Sequence, residues 1–317
     1  CYRGYSTSTY HNWPTFLYDF RIKYTKQIMR SMNIAILGDV ILDKFSFYKS
    51  NRISPEAPVP IIELEKFEYF PGGASLTASN LKKLGCNVDI FTQIGDDKNG
   101  KILNDLLKKI NVFNFSKKNY STILKNRIIV KNEYFLREDT EELMAPLNND
   151  LINLFKSNIN KYDAVVFVDY NKGFLNSANF DKLKKISIEN KKTTFMDPHP
   201  LNINNFFDIS YLKPNLKEAK EITNKKNINT ILRYLNSKYN TIPVVTLGKK
   251  GAIAYKDGKT LNSKIYNSKF VDSSGSGDVF FAHFIESILK EKSLLNSINY
   301  ASKFATKNVS YFGYDIS

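Results

Sequence analysis

The segment Asp272–Asp278, which reads DSSGSGD, combines a flexible backbone with a carboxylate. Gly275 and Gly277 allow consecutive N–H groups to point into one hollow, and the apolar run Val279–Ile285 predicts a buried helix that starts there. Free N–H groups at a helix N-terminus attract phosphate. A carboxylate repels a neighbouring phosphate, so the presence of Asp278 at this place indicates a function. The function that fits is to take the proton of an attacking hydroxyl, and the segment therefore predicts phosphoryl transfer to an alcohol. A serine- and glycine-rich turn with Asp278 as a helix cap is the alternative on these residues alone.

Polar residues and glycines also follow the first predicted strand. Asp43 lies just beyond the strand Ile34–Leu37, and the carboxyl ends of strands are where open α/β sheets bind ligands. Its carboxylate is suited to accept hydrogen bonds from sugar hydroxyls, although a turn-capping role is an alternative. Gly72 and Gly73 precede a helix predicted over 75–84, and paired glycines let the backbone approach a ligand closely.

Three later strand ends carry further candidates. Lys172 follows the strand Ala164–Val168 and is placed to hold an anionic group. Asn215 and Glu218 lie one helical turn apart, so they are candidates to share a hydrated Mg²⁺ or a phosphate, with a helix capping box as the alternative. A strand-to-turn unit that would border a nucleotide contains Thr246, Gly248 and Gly251.

The elements that must position these residues alternate between strands and helices. Short apolar runs typical of buried parallel strands occur at Ile34–Leu37, Val88–Phe91, Ala164–Val168 and Val244–Leu247. Helical spacing of apolar residues occurs over 99–110 and 294–305. This alternation predicts an α/β fold with a doubly wound, mostly parallel sheet and helices on both faces. Two strand-like segments near 44–70 and 120–138 lack an intervening helix, which predicts a small separate sheet that acts as a lid.

Composition limits the class of protein. The chain has 317 residues, of which 42% are hydrophobic, and this is enough for one large α/β domain. No apolar run of about 18 residues occurs, so we expect no membrane partner. The two cysteines, Cys1 and Cys86, are too few for a disulfide framework, which favours the cytoplasm. The formal net charge is +15, but the lysines are scattered among asparagines, so a solvated basic surface is favoured over nucleic-acid binding.

The N-terminal segment differs from the rest of the chain. Residues 1–31 are rich in Tyr, Ser and Thr without clear periodicity, and Met32 directly precedes the first predicted strand. We therefore expect residues 1–31 to be a leader or arm outside the main fold, and residues 32–317 to form the domain. The alternative is an arm that docks on the domain through Trp13, Phe16 and Tyr18.

Taken in order, these motifs resemble those of the ribokinase-like (PfkB) carbohydrate kinases over Met32–Ser317. The matching positions are Asp43, Gly72-Gly73, Asn215 with Glu218, Thr246 with Gly248, and the run from Gly275 to Asp278. The resemblance implies an ATP- and Mg²⁺-dependent sugar kinase with Asp278 as catalytic base. The N–H groups of Gly275, Ser276 and Gly277 would then stabilise the transferring phosphoryl group. ATP would be bordered by Asn215, Glu218, Thr246, Gly248, Gly251 and Ser274, with Glu218 reaching the metal through water.

A narrower resemblance is to D-glycero-β-D-manno-heptose 7-phosphate kinases. It rests on the lid segment Arg52–Pro60 and on Asp169–Gly173, which reads DYNKG. It also rests on Asp197-Pro198, on Arg127, and on Arg137 with Asp139. The resemblance implies phosphorylation of the anomeric hydroxyl of that heptose phosphate, for ADP-heptose and surface-polysaccharide synthesis. The sugar would lie between Asp43, Gly72-Gly73 and the lid, and candidates for its phosphate are Arg52, Arg127, Arg137 and Lys172. Lid strands of this fold commonly pair between subunits, which implies a homodimer.

Two positions depart from the pattern of that group. Leu76 stands where an Asn usually contacts the sugar, and His199 stands where a Lys usually follows the Asp-Pro pair. These departures leave open a kinase of the same family that acts on a different sugar or sugar phosphate. A binding homologue without catalysis is a further alternative, although Asp278 and the glycines before it are intact.

A chain shortened to begin at Met32 is expected to fold and to keep its full activity, because the periodic pattern and every motif lie downstream. Circular dichroism and a steady-state assay, each run beside the full chain, would measure this. Aggregation of the shortened chain, or a loss of its activity, would show that residues 1–31 belong to the fold.

Overall fold

The computed structural model describes residues 31–141, 149–310 and 312–313, and within these ranges no helix is long and apolar enough to cross a membrane. The proposed leader, residues 1–31, lies outside the described residues apart from Ser31. The strands are β1 (Asn33–Gly38), β2 (Val40–Ile53), β3 (Pro60–Gly73), β4 (Asn87–Thr92), β5 (Asn111–Asn114), β6 (Leu124–Val130), β7 (Glu133–Thr140), β8 (Ala164–Val168), β9 (Thr193–Asp197), β10 (Tyr211–Leu212), β11 (Ile242–Thr246), β12 (Ala252–Lys256) and β13 (Lys259–Asn262). The helices are α1 (Ala74–Lys83), α2 (Lys98–Leu106), α3 (Asn149–Asn158), α4 (Ser177–Glu189), α5 (Leu216–Thr223), α6 (Ile228–Tyr239), α7 (Ser276–Leu289) and α8 (Leu294–Asn308).

In the described chain, the larger sheet has nine strands in the order β13-β12-β11-β10-β9-β8-β1-β4-β5. Neighbouring strands are parallel except for the pairs β11–β12 and β12–β13, which are antiparallel. Strand β1 lies near the middle and is buried on both faces. Ile34 and Ile36 enter one hydrophobic core, whereas Ala35 and Leu37 enter the other. The alternation explains why this strand is apolar throughout.

Helices cover both faces of this sheet. Residues of α3, α4 and α6 fill the core that contains Ala35 and Leu37, and residues of α1, α7 and α8 fill the core that contains Ile34 and Ile36. The predicted doubly wound, mostly parallel α/β fold is therefore confirmed. One boundary was wrong: the helix expected over 99–110 ends at Leu106. The N–H of Ile110 donates to the carbonyl of Leu107, which turns the chain into β5.

The two lid segments form a separate sheet of four strands, in the order β3-β2-β6-β7 within the described residues. Strand β2 pairs with β3 antiparallel and with β6 parallel, and β7 adds to β6 antiparallel. The chain enters this sheet after Asp39 and leaves it at Gly73. These two crossings are tied together, because the N–H of Ala74 donates to the carbonyl of Asp39 at 3.0 Å.

Leu76 joins the lid sheet to helix α1. Its side chain is fully buried in a small apolar cluster with Phe45 and Ile129, against which Phe70 packs. The resemblance placed a sugar contact at this position. In this chain the side chain instead fills space between α1 and the lid strands, which is what a branched aliphatic residue does best.

Leu76→Asn is expected to lower the free energy of unfolding by about 2–4 kcal/mol, because it removes buried apolar surface and leaves an amide among phenylalanine rings. Urea unfolding of the purified proteins would measure the loss. Leu76→Met is the matched control, and its cost should stay below about 1.5 kcal/mol because the volume is conserved. A Leu76→Asn protein with wild-type stability and tighter sugar binding would show that this side chain faces the substrate instead.

Candidate active site

The glycine-rich segment forms a closed turn that leads into helix α7. Gly275 precedes the helix with φ of 68°, a conformation that glycine adopts without strain. The carboxylate of Asp272 accepts two hydrogen bonds from Ser274, from its N–H and its hydroxyl, each at 2.9 Å. The turn is therefore held in part by its own side chains.

The first turn of α7 presents N–H groups to the surface of the molecule. The N–H of Ser276 is already used, since it donates to the carbonyl of Ser273 at 3.2 Å. Helix geometry leaves the N–H groups of Gly277 and Asp278 without an acceptor inside the helix. The positive end of the helix dipole lies at the same place, so this turn suits an anion.

Asp278 is buried in the first turn of α7, with 5% of its surface exposed. Its carboxylate oxygens each lie 3.1 Å from the Tyr170 hydroxyl, and Thr77 donates to one of them at 3.3 Å. Burial, followed by the charge of Asp197, raises the pKa of Asp278 to about 7, against the lowering effect of the Lys213 ammonium. A carboxylate with a pKa near neutrality is suited to accept a proton in a reaction.

A lysine lies beneath the glycine turn. The ammonium of Lys213 is 2.8 Å from Asp197 and 3.6 Å from the point where a side chain on Gly277 would begin. Burial alone would lower the pKa of Lys213, but the charges of Asp197 and Glu218 outweigh burial and raise it. The lysine therefore stays charged, and it brings positive charge to the underside of the turn.

Asp39 fixes the loop that follows β8. Its buried carboxylate accepts hydrogen bonds from the N–H groups of Tyr170 at 2.9 Å, Lys172 at 3.0 Å and Phe174 at 3.3 Å. Burial and the neighbouring charge of Asp169 raise the pKa of Asp39 to about 6. Because these N–H groups converge on one carboxylate, the positions of Tyr170 and Lys172 depend on Asp39.

Asp43 lies on the face of the lid sheet that carries Phe45. Its carboxylate forms a buried ion pair with the guanidinium of Arg127, which also lies over the ring of Phe45. A side chain on Gly72 would begin 2.3 Å from an oxygen of Asp43, so a larger residue there would displace this carboxylate. The predicted sugar contacts Asp43 and Gly72 are thus brought together.

More cations gather beside Asp43. Lys125 is next to Asp43 in the strand register, and burial, followed by the charge of Lys172, lowers the pKa of Lys125 despite Asp43. The guanidinium of Arg137 is 2.9 Å from Asp139 and is 57% exposed. Lys172 forms an ion pair with Glu141. This lid cation cluster, as we name it, comprises Lys125, Arg127, Arg137 and Lys172.

Two members of the lid cation cluster, Arg127 and Arg137, line a cavity beside the glycine turn. The cavity has a volume of about 430 Å³ and is lined by Arg127, Arg137 and Ser274 among others. The Tyr134 hydroxyl on β7 lies 3.2 Å from the Ser274 hydroxyl, which brings the lid against the turn. Ser274, predicted to border ATP, therefore lies on the lid side of the turn.

A second cavity lies on the other side of the same turn, with a volume of about 310 Å³. Thr246, Gly248 and Gly251 line it, as do Ser276 and Gly277. The strand-to-turn unit predicted to border a nucleotide is therefore next to the glycine turn. One element, the start of α7, separates the two cavities.

Asn215 and Glu218 lie near this second cavity, since Asn215 bridges to Thr246. They form a capping box: Asn215 accepts the Glu218 N–H at 3.0 Å, and Glu218 accepts the Asn215 N–H at 2.8 Å. The helix capping box, which was the alternative to a ligand site for these two residues, is thus present. Among the residues that the structure describes, no group of three or more His, Cys, Asp and Glu side chains is arranged to hold a metal ion.

Arg52 is the predicted site residue that the chain does not bring to this place. It is exposed near the tip of the β2–β3 hairpin, where it pairs with Ile61. It lies nine residues beyond Asp43 on the same strand, which is roughly 30 Å at about 3.3 Å per residue.

Sequence reasoning missed several residues of the site, among them Asp39. Lys125 was recoverable, because it lies two residues from Arg127 on a strand and so shares its face. Tyr170 was noted only as part of a motif. Thr77 carries no local signal, because its partner lies in a distant part of the chain. Lys213 carries none either, because its ion pair with Asp197 forms only once β9 and β10 lie side by side. Asp278 is 201 residues from Thr77.

Known proteins resemble this chain over most of its length. The family described as pfkB family carbohydrate kinase matches residues 32–317. The bifunctional protein HldE of Helicobacter pylori (strain HPAG1) is 31% identical over 293 residues, which cover 88% of this chain and 63% of that protein. HldE of Aliarcobacter butzleri (strain RM4018) is 27% identical over 287 residues, which cover 87% of this chain and 60% of that protein. The chain thus spans less than two thirds of these relatives.

Two solved structures share the fold. Phosphofructokinase-2 from Escherichia coli, in complex with substrates and products, has a TM-score of 0.73 and 16% identity, and the match covers 88% of this chain and 93% of that one. Ribokinase of Arabidopsis thaliana, complexed with ribose and ATP, has a TM-score of 0.70 and 17% identity, and the match covers 90% and 94%. At these identities the likeness supports the ribokinase-like fold and nothing finer.

Asp278→Asn is expected to stabilise the folded protein at pH 8 by roughly 2–4 kcal/mol, because a carboxyl whose pKa is raised by folding destabilises the fold once it is ionised. The raised pKa of Asp278, about 7, sets the window. The gain should fade as the pH falls toward about 4, the ordinary pKa of an aspartate in an unfolded chain. Urea unfolding across this range measures it, with exposed Asp105→Asn as the control. A wild type that is as stable as the variant at pH 8 would contradict the assignment.

Proposed function

Because the chain belongs to the pfkB family of carbohydrate kinases, we propose that it transfers the terminal phosphoryl group of ATP to the anomeric hydroxyl of D-glycero-β-D-manno-heptose 7-phosphate. The observation that carries the proposal is the position of Asp278. This buried carboxylate, with its pKa near 7, lies in the first turn of α7, where the neighbouring Ser276 and Gly277 line the cavity beside Thr246 and Gly248. It is also close enough to Asp43 on the lid sheet for the two charges to interact.

The reaction follows from the charges at the start of α7. Asp278 accepts the proton of the sugar hydroxyl as that oxygen forms a bond to the terminal phosphorus, while the bond to the ADP oxygen breaks. The N–H groups of Gly277 and Asp278 face the transferring phosphoryl oxygens. The ammonium of Lys213, 3.6 Å from the side-chain position of Gly277, adds positive charge below them. Fixed dipoles and charges of this kind favour the transition state, because they need no reorganisation during the reaction.

The lid cation cluster is the proposed site for the phosphate of the sugar. Burial, and then the charge of the nearby Lys172, lower the pKa of Lys125, although Asp43 and Asp139 are also near. A phosphate dianion would relieve this repulsion. Arg137 is half-exposed and lines the cavity beside the glycine turn. Its guanidinium contacts Asp139, and the planar group carries further N–H donors that suit phosphate oxygens.

Mg²⁺ is the implied metal, and the residues present fit a hydrated ion. Asp197, Glu218 and Asp278 place more carboxylate charge around Lys213 than one ammonium balances. Mg²⁺ keeps several waters and binds few protein oxygens, so Glu218 and Asn215 would hold it through water beside the ATP phosphates. When bound, the ion would neutralise charge on the transferring phosphates.

A second copy of the chain is the proposed partner of the lid. Strand β7 is exposed along its whole length, and the edge strands β3 and β7 carry exposed Leu64, Phe67, Phe135 and Leu136. Unpaired edge strands with apolar side chains invite pairing with another chain. A homodimer joined through the lid sheets would cover both edges and these side chains.

A different sugar or sugar phosphate is the second candidate substrate. Leu76 supports it, because this side chain is buried in the lid cluster and offers no hydrogen bond to a sugar hydroxyl. His199, which stands at the other departure from the group, is half-exposed, and its ring nitrogen accepts from the N–H of Leu201 at 3.4 Å.

ADP release against a panel of sugar phosphates and free sugars tests the proposal. Turnover is expected with the heptose 7-phosphate and not with the free heptose. Asp278→Asn is the inactive reference, with turnover reduced about 10²–10⁴-fold by loss of the base. Arg137→Gln should raise KM for the phosphorylated sugar about tenfold or more and leave KM for ATP unchanged, because one charged contact is lost. Lys49→Gln, an exposed lid lysine paired with Glu63, is the matched control. Turnover with an unphosphorylated sugar alone would favour the second candidate.

A further inference from the structure

The Tyr170 hydroxyl contacts the proposed base, Asp278, but has no role in the reaction described above. Its oxygen is 3.1 Å from both carboxylate oxygens of Asp278. An ionised carboxylate only accepts hydrogen bonds, so the phenol is the donor. Thr77 donates to the same group at the longer distance of 3.3 Å.

The ring that carries this hydroxyl is held from several sides. The N–H of Tyr170 donates to the buried carboxylate of Asp39 at 2.9 Å. A side chain on Gly73 would begin 3.3 Å from the ring edge, so the ring lies directly against this glycine. The ammonium of Lys125 is 5.4 Å from the ring centroid. The contacts with Asp39, Gly73 and Lys125 thus each limit how far the hydroxyl can move from Asp278.

We propose that Tyr170 is a positioning residue, whose hydroxyl keeps the Asp278 carboxylate ionised and oriented to accept the proton of the sugar hydroxyl. This inference rests on the proposed function, because it assumes that Asp278 is the base. The phenol keeps its own proton throughout. The proton taken from the sugar resides on Asp278 until the product leaves.

The electrostatic surroundings of Asp278 give the phenol its importance. Burial and the charges of Asp197 on β9 and Asp43 on β2 favour the protonated form. Glu218 on α5 also interacts with Asp278, as one like charge with another. The Lys213 ammonium and the Tyr170 hydroxyl favour the ionised form. Without the phenol, the Lys213 ammonium and the longer Thr77 hydrogen bond are left against three neighbouring carboxylates, so the pKa of Asp278 is expected to rise further.

Tyr170→Phe tests the inference, because it removes the hydroxyl and keeps the ring. The acid limb of kcat/KM is expected to move up by about one pH unit, the usual effect of one hydrogen bond to a charged group. At pH 6 the variant should therefore be about tenfold slower than the wild type, and above pH 9 the two should agree within about twofold. Tyr162→Phe is the matched control, since it removes a tyrosine–aspartate hydrogen bond of 2.7 Å, to Asp89, away from the site. Its acid limb should not move.

A second measurement needs no catalysis. The stability gained at pH 9 from Asp278→Asn should be larger in the Tyr170→Phe background than in the wild type, by about tenfold in the unfolding equilibrium constant. An unmoved acid limb and an unchanged gain would overturn the role of Tyr170, while the base assignment stands on the inactivity of Asp278→Asn. An active Asp278→Asn protein would overturn the proposed function itself. A lower KM for sugar in Tyr170→Phe without a pH shift would overturn the inference in another way, by showing that the phenol competes with the substrate.

Discussion

The burial of several carboxylates at the carboxyl ends of the central strands is the physical constraint on which the rest of this structure depends. Burial is the main reason why the pKa values of these groups are raised, to about 6 or 7. Each group sits where a parallel strand ends or a helix begins, which is where this architecture offers space for ligands. The carboxylates are Asp39, Asp169, Asp197 and Asp278. Keeping such charges out of water is costly, so each needs partners that the chain must supply.

The partners differ from one carboxylate to the next, and they explain the local structure. Backbone N–H groups satisfy Asp39, and this fixes the loop after β8. An ammonium satisfies Asp197, and the lysine concerned also reaches the underside of the glycine turn. Hydroxyl groups alone contact Asp278 among the hydrogen bonds described, so this carboxylate is the least compensated and the most basic. The group proposed to accept a proton is thus the one that the fold leaves most ready to take it.

The sequence allowed the fold and the glycine turn to be predicted because both have local signals. Alternating strand and helix patterns gave the sheet, and the glycines before an apolar run marked the start of α7. The capping box of Asn215 and Glu218 was also readable, because its partners are three residues apart. Contacts between distant parts of the chain had no such signal. Tyr170 lies 108 residues from Asp278, and the packing of Leu76 against Phe45 exists only because the lid sheet folds back over α1.

Strand β2 runs along the whole lid, from the crossing beside Asp39 to the tip near Arg52. The strand is continuous from Val40 to Ile53, and it starts one residue beyond Asp39, whose carbonyl is tied to Ala74 at the other crossing. A tilt of about 10° at that pivot would displace Asp43 by roughly 2 Å and Arg52 by roughly 7 Å, at about 3.3 Å of strand per residue. In such a tilt the tip would move about three times as far as Asp43, in proportion to their distances from the pivot. A displacement imposed at the tip would therefore reach the site as a movement about three times smaller.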